Sequence, residues 1–138
     1  MKLKGTKTAE NLLKSFAGES QANRRYTYYA KVARKQGYIQ IADIFEETAD
    51  QESMHAKRFF SFLNEDKELQ GEMLGITAEY PVALYEETLD NLKAAAAGEN
   101  EEWTDLYPEF AKVAREEGFG AIAAAYDKIA EVEARHEK

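Results

Sequence analysis

Cysteine is absent from the 138-residue chain, which excludes disulfides, thiolate catalysis and Cys-ligated zinc or iron–sulfur centres. No apolar run approaches the roughly 20 residues needed to span a bilayer, and Met1-Lys2-Leu3-Lys4-Gly5 lacks the hydrophobic stretch of a signal peptide. Basic residues are in deficit: 18 Lys and Arg stand against 26 Asp and Glu, a formal charge of −8. No Lys/Arg cluster with interleaved aromatics offsets that balance, so neither nucleic acid nor membrane is an expected partner. A cytoplasmic location is the expectation. The chain is long enough to bury a core, and one domain over residues 1–138 is the default. Its 44% hydrophobic and 12% aromatic content argues against disorder.

The most informative stretch is Glu52-Ser53-Met54-His55. Residues three apart on a helix project from one face. Ile41, Ile44, Phe45, Thr48, Glu52, His55, Phe59 and Phe62 follow the three-and-four rhythm of a buried stripe. An acid and an imidazole therefore occupy places where apolar residues were due, and a bare buried carboxylate is unfavourable unless something pairs with it.

The motif occurs twice. Displaced by 81 residues, Ala30-Lys31-Val32-Ala33-Arg34 falls on Ala111-Lys112-Val113-Ala114-Arg115, Gly37 on Gly118, and Lys57 on Lys138. Glu52 and His55 fall on Glu133 and His136, while Ala17-Gly18-Glu19 matches Ala97-Gly98-Glu99 with the displacement reduced to 80. One helix-pair unit is thus present in two copies. In the first helix Glu19 lines up with Leu12, Phe16, Tyr26 and Ala30; in the third, Glu99 and Glu102 line up with Leu89, Leu92, Leu106, Phe110 and Val113. In the fourth, Glu133 and His136 follow Ile122, Tyr126 and Ile129. Each helix points an acid at the core.

These patterns predict an all-α fold: a ferritin-like antiparallel four-helix bundle with one long crossover. The first helix opens at an N-cap of Thr6 or Thr8 and runs to about Lys35, where Gly37 supplies a left-handed stop. The second runs from about Ile39 to Leu63. Glu19 lies roughly 27 Å before the turn and Glu52 roughly 22 Å after it, at 1.5 Å per residue, so both sit at similar heights. Residues 64–80 form the crossover, with room for a short helix inside it. The third helix is expected from about Val82, after Pro81, to Glu117, and the fourth from Gly120 to the end, giving helix pairs over 6–63 and 82–138. The change of displacement from 80 to 81 falls between Glu99 and Phe110, near Pro108. One extra residue without loss of downstream register predicts a π-bulge between Glu102 and Phe110; a plain proline kink is the alternative.

Glu19, Glu52 with His55, Glu99 with Glu102, and Glu133 with His136 then converge. A Glu from each of two helices plus Glu-x-x-His from the other two is the donor set of ferritin-like di-iron and di-manganese proteins. Carboxylates can bridge two cations, and imidazole adds a ligand suited to iron or manganese. A closed zinc site takes four ligands, so seven candidates point to two metals. Glu102 has no counterpart in the first repeat, where Ala22 or Asn23 stands, so an asymmetric site is expected.

The chain resembles the diiron domain of rubrerythrin. The likeness is dense at Leu3-Lys4-Gly5-Thr6, Phe16-Ala17-Gly18-Glu19-Ser20-Gln21-Ala22, Tyr26, Ala49-Asp50-Gln51-Glu52, His55-Ala56-Lys57-Arg58, Ala97-Gly98-Glu99 and Tyr107-Pro108. It implies two iron ions bridged by Glu52 and Glu133, with Glu19 and Glu99 as terminal ligands and His136 on the second iron. The first iron would exchange His55 for Glu102 with redox state. Manganese or a mixed pair suits the same ligands. The implied activity is reduction of hydrogen peroxide to water; iron oxidation and storage of the ferritin kind is the alternative. Tyr26 and Tyr107 match tyrosines that lie behind the ligands, although spacing alone equally allows ordinary aromatic core residues. Rubrerythrins normally continue into a four-cysteine rubredoxin domain; without cysteine, electrons are expected from an external donor such as a rubredoxin. The sequence stops two residues after His136, so a longer chain or a partner subunit is expected to cover that end. A homodimer is expected, and exchange of hairpins across the crossover is one route to it. If Glu52 bridges two cations, Glu52→Ala loses most of the bound metal, as metal analysis of anaerobically prepared protein would record; unchanged content rejects the assignment.

Overall fold

In the computed structural model, which describes residues 1–137, four antiparallel helical rods form a bundle. Lys138, the repeat partner of Lys57, lies outside the described residues. The first hairpin is α1 (Lys7–Lys35) against α2 (Ile39–Glu65). Thr6 is the N-cap of α1, its hydroxyl accepting from the Ala9 N–H at 3.1 Å. Thr8 instead donates to Glu117, whose carboxylate also accepts the Thr8 and Lys7 N–H groups. An acid at the end of the third rod thus satisfies orphan donors at the start of the first. Gly37 and Gly118 both have left-handed φ, +87° and +88°, where the chain reverses between rods.

The third rod is one path in three pieces: α3 (Thr88–Glu101), a π-helical turn (Glu102–Leu106) and α4 (Tyr107–Glu116). The expected π-bulge is present, and the Tyr107 N–H reaches five residues back to the Glu102 carbonyl. Pro108 follows directly and, lacking an N–H, cannot continue the ordinary ladder there. Bulge and proline are parts of one feature. The fourth rod is α5 (Gly120–Glu137).

The crossover is longer than the spacing predicts. Among the described residues no helix forms between Glu65 and Thr88, so the third rod begins at Thr88 and not near Val82. Pro81 does not start it. The first turn of α3 is instead held by the end of α1, since Gln36 Oε1 accepts from the Thr88 N–H at 2.9 Å and the Thr88 hydroxyl at 2.6 Å. The Asn91 side chain pairs with both the N–H and the carbonyl of Tyr85, which keeps residues 82–87 out of the helix. Tyr80 and Tyr29 hydroxyls donate to the Lys14 and Ala83 carbonyls, strapping the crossover across α1.

α1 packs along α2 and α4 along α5, while α1 meets the third rod and α2 meets α5. The inward lines differ in part from the expected stripes. Ile44, Leu89, Leu92 and Leu106 are exposed. In α3 the buried line is polar, Thr88, Asn91 and Glu99, because the Asn91 and Thr88 side chains are consumed by the crossover and Gln36. Aromatic residues repeat as triads. Tyr26, Tyr29 and Phe45 have ring centroids 5.4–6.0 Å apart. Tyr107, Phe110 and Tyr126, at the same positions 81 residues on, lie 5.4–6.3 Å apart.

Neither Gly37 nor Gly118 would tolerate a Cβ without left-handed strain. Gly37→Ala and Gly118→Ala should each lower stability by about 1 kcal/mol, read as a shift in the urea midpoint at unchanged slope.

Candidate metal centre

At mid-height the four rods bring together Glu19, Glu52, Glu99 and Glu133, all buried, with His55 and His136 half-buried beside them. Their ligand atoms form two groups, Glu19, Glu52, His55 and Glu133 in one and Glu52, Glu99, Glu133 and His136 in the other, with all atoms of a group within 4.8 Å. Glu52 and Glu133 belong to both.

Each shared carboxylate turns a different oxygen to each group. His55 Nδ1 lies 3.3 Å from Glu133 Oε1, 3.7 Å from Glu19 Oε2 and 4.0 Å from Glu52 Oε2. His136 Nδ1 lies 3.5 Å from Glu52 Oε1, 3.7 Å from Glu99 Oε1 and 4.0 Å from Glu133 Oε2. The three distances match pairwise, so the internal repeat is also a two-fold relation within the site. Most of these separations are too long for a direct hydrogen bond. They suit donors gathered around a shared ion, since ligand atoms about 2.0–2.2 Å from one cation stand about 3–4 Å apart.

The hydrogen-bond inventory points the same way. Both oxygens of Glu52 and of Glu133, one oxygen each of Glu19 and Glu99, and both imidazole Nδ1 atoms are buried without a partner. Buried polar atoms are normally satisfied, and among the described residues no Lys or Arg pairs with these acids. The remaining oxygens accept from tyrosines. The Tyr107 hydroxyl donates to Glu19 Oε1 at 2.5 Å and the Tyr26 hydroxyl to Glu99 Oε1 at 2.8 Å. Each tyrosine reaches across the bundle to the acid of the opposite repeat. Burial, and then the charges of Glu19 for Tyr107 and Glu99 for Tyr26, push both phenols well above their ordinary range.

Glu102 stands apart. It belongs to neither group, lying half-buried on the π-helical turn. Burial and the charges of Glu19 and Glu99 push its carboxyl well above the usual range. Glu19 is raised as well, by burial, against the lowering influence of His55 and Tyr107. Sequence reading passed over Gln51, whose Oε1 meets His136 Nε2. Such a contact favours a proton on Nε2, leaving the Nδ1 lone pair toward the acids. Its position one residue before Glu52 was the available signal, but an exposed glutamine gives no periodicity to read.

The Rubrerythrin family model matches residues 10–138. The chain belongs to the rubrerythrin family. It is 62% identical to rubrerythrin-1 of Clostridium acetobutylicum, covering 99% of this chain and 69% of that one. It is 60% identical to the rubrerythrin of Porphyromonas gingivalis, covering 99% of this chain and 65% of the relative's length. Among solved structures, fully reduced, all-ferrous nigerythrin superposes with a TM-score of 0.80 at 34% identity, over 98% of this chain and 67% of the other. Symerythrin from Cyanophora paradoxa shares the fold, with a TM-score of 0.76 at 24% identity, over 94% of this chain and 79% of that one. The fold is therefore the ferritin-like bundle of that family. Among the described residues no helix is long and apolar enough to cross a membrane.

The raised carboxyls predict how metal-free protein responds to pH. A carboxyl whose folded pKa lies above its unfolded value contributes stability that is lost as pH rises from the unfolded value, near 4.5, through the folded one. Metal-free protein should therefore unfold at lower denaturant concentration at neutral than at mildly acidic pH. Adding a divalent cation should abolish that decline, and a flat metal-free profile would contradict the buried-acid geometry.

Proposed function

We propose that the chain is a single ferritin-like domain that holds two iron ions and reduces hydrogen peroxide to water, drawing electrons from an external donor such as a rubredoxin. The observation that carries the reading is the pair of shared carboxylates, Glu52 and Glu133, each turning one unpartnered oxygen to each histidine group. Glu52 and Glu133 would bridge the ions. Glu19 and His55 would complete one, Glu99 and His136 the other, and Glu102 would alternate with His55. Manganese or a mixed pair fits the same donors. When bound in the ferrous state, the pair supplies the two electrons needed to cleave the O–O bond.

The chain's own groups do the positioning. Tyr107 and Tyr26 each hold one oxygen of Glu19 and Glu99, which limits rotation of those carboxylates. Gln51 orients His136. Burial of the acids excludes bulk water from most of their surface. The donor's approach is favoured where α2 and α5 leave His55 and His136 partly exposed, their side chains 15% and 14% accessible. Exposed Val82, Leu84 and Tyr85 of the crossover and Leu89 and Leu92 of α3 favour a second copy covering the crossover side of the bundle, hence a homodimer, with exchange of hairpins across the long crossover as one route to it. A cytoplasmic setting suits a peroxide-removing activity.

The test combines metal analysis with oxidation kinetics. Anaerobically reconstituted protein should hold two iron ions per chain, and its ferrous form should oxidise faster with peroxide than with oxygen. A hollow many-subunit shell on sizing, or faster oxidation by oxygen, would overturn the peroxidase reading in favour of iron storage.

A further inference from the structure

We propose that the cavity between α1, the third rod and the crossover is the passage by which a small oxidant reaches the carboxylates, and that Gly18 and Gly98 keep it open. The cavity measures 410 Å³ and lies beneath Tyr80 and Pro81 of the crossover. Glu102 and Tyr107 line it on the inner side, and Tyr107 is hydrogen-bonded to Glu19. Its inner wall therefore lies one hydrogen bond from Glu19, with the Tyr107 ring and the Glu102 carboxyl standing between the cavity and the four buried acids.

The two glycines are the informative residues. Each stands inside a helix, one position before an inward acid, and they are equivalent in the internal repeat. Neither has positive φ, so neither backbone requires glycine. A glycine inside a helix is destabilising by about 0.5–1 kcal/mol relative to alanine. Packing does not require them either. A Cβ at Gly98 would meet nothing within 4 Å, and one at Gly18 would meet only Tyr80 Cε1 at 3.5 Å, an ordinary contact. What their missing side chains preserve is empty volume. Both line the same cavity, from facing helices.

The opposite face offers a different surface. Between α2 and α5 an opening is lined by Gln51, Met54, His55, Arg135 and His136. A molecule arriving there meets imidazole edges, whereas one arriving past Gly98 meets Glu102 and Tyr107. The bundle thus separates two approaches, and a small neutral oxidant is assigned to the glycine-lined one. The identity of that oxidant as hydrogen peroxide rests on the function proposed above.

The absence of cysteine makes the test clean, because Gly98→Cys introduces a unique thiol. In metal-free Gly98→Cys, N-ethylmaleimide should label the thiol at no less than a tenth of the rate in urea-unfolded protein; strong protection would show that the cavity is closed and overturn the proposal. Gly98→Leu should obstruct the passage beside Glu102. Its ferrous form should react with peroxide at least tenfold more slowly than the parent, with iron content and the rate of oxidation by ferricyanide, an outer-sphere acceptor, within twofold. A smaller loss, or a parallel loss with ferricyanide, overturns the passage. If Gly98→Leu fails to hold iron, iron-loaded Gly98→Cys alkylated with N-ethylmaleimide serves as the obstructed form, judged by the same outcomes. A parent that does not react with peroxide at all would instead reject the proposed function, while the labelling rate would still decide whether the cavity is open.

Discussion

Convergence of four buried carboxylates is the constraint on which the rest of this structure depends. Glu19, Glu52, Glu99 and Glu133 are almost completely shielded from water, and the groups facing them are two imidazoles and two phenols. Like charges at such range in a low-dielectric interior repel by several kcal/mol. The arrangement is sustained only if positive charge enters among them or protons are taken up. Burial pushes the Glu19 carboxyl, and that of neighbouring Glu102, upward, the direction in which proton uptake relieves such repulsion. Unpartnered oxygens on Glu52 and Glu133 give the geometric counterpart.

The two halves of the bundle contribute to this cluster in the same way. An 81-residue repeat places Glu52 and His55 against Glu133 and His136 so that corresponding distances agree. The aromatic triads repeat as well, and each sends a tyrosine across to the acid of the other half. Neither hairpin alone contains a complete candidate ligand group, since each group draws its members from both repeats. Folding of the two halves onto one another and assembly of the site are therefore one event.

Departures from symmetry gather on one side. The π-helical turn, Glu102, Pro108 and the crossover all lie against the third rod or the α1 face beside it. There the second repeat has one more residue than the first, and the cavity opens between glycines that the repeat places one per helix. The α2/α5 face keeps the regular helices and the imidazoles. One side of the centre is thus irregular and carboxylate-lined, the other regular and imidazole-lined.

Much of this was legible in the residues alone. Helical period and internal repetition are local properties, so the rods, the left-handed turns at Gly37 and Gly118 and the extra residue of the π-turn could be read from spacing. Rubrerythrin family membership agrees with that reading. Interruption of apolar stripes by acids pointed to a common centre because helix geometry alone aligns residues three and four apart. The start of the third rod at Thr88 could not be read, because Gln36, 52 residues away, decides it by accepting two hydrogen bonds. Nor could the exposure of Leu89, Leu92 and Leu106, the contact of Gln51 with His136, or the separation of Glu102 from both ligand groups. Sequence determined which residues share a face; only packing of rod on rod decided which faces meet, because that depends on contacts between positions far apart in the chain.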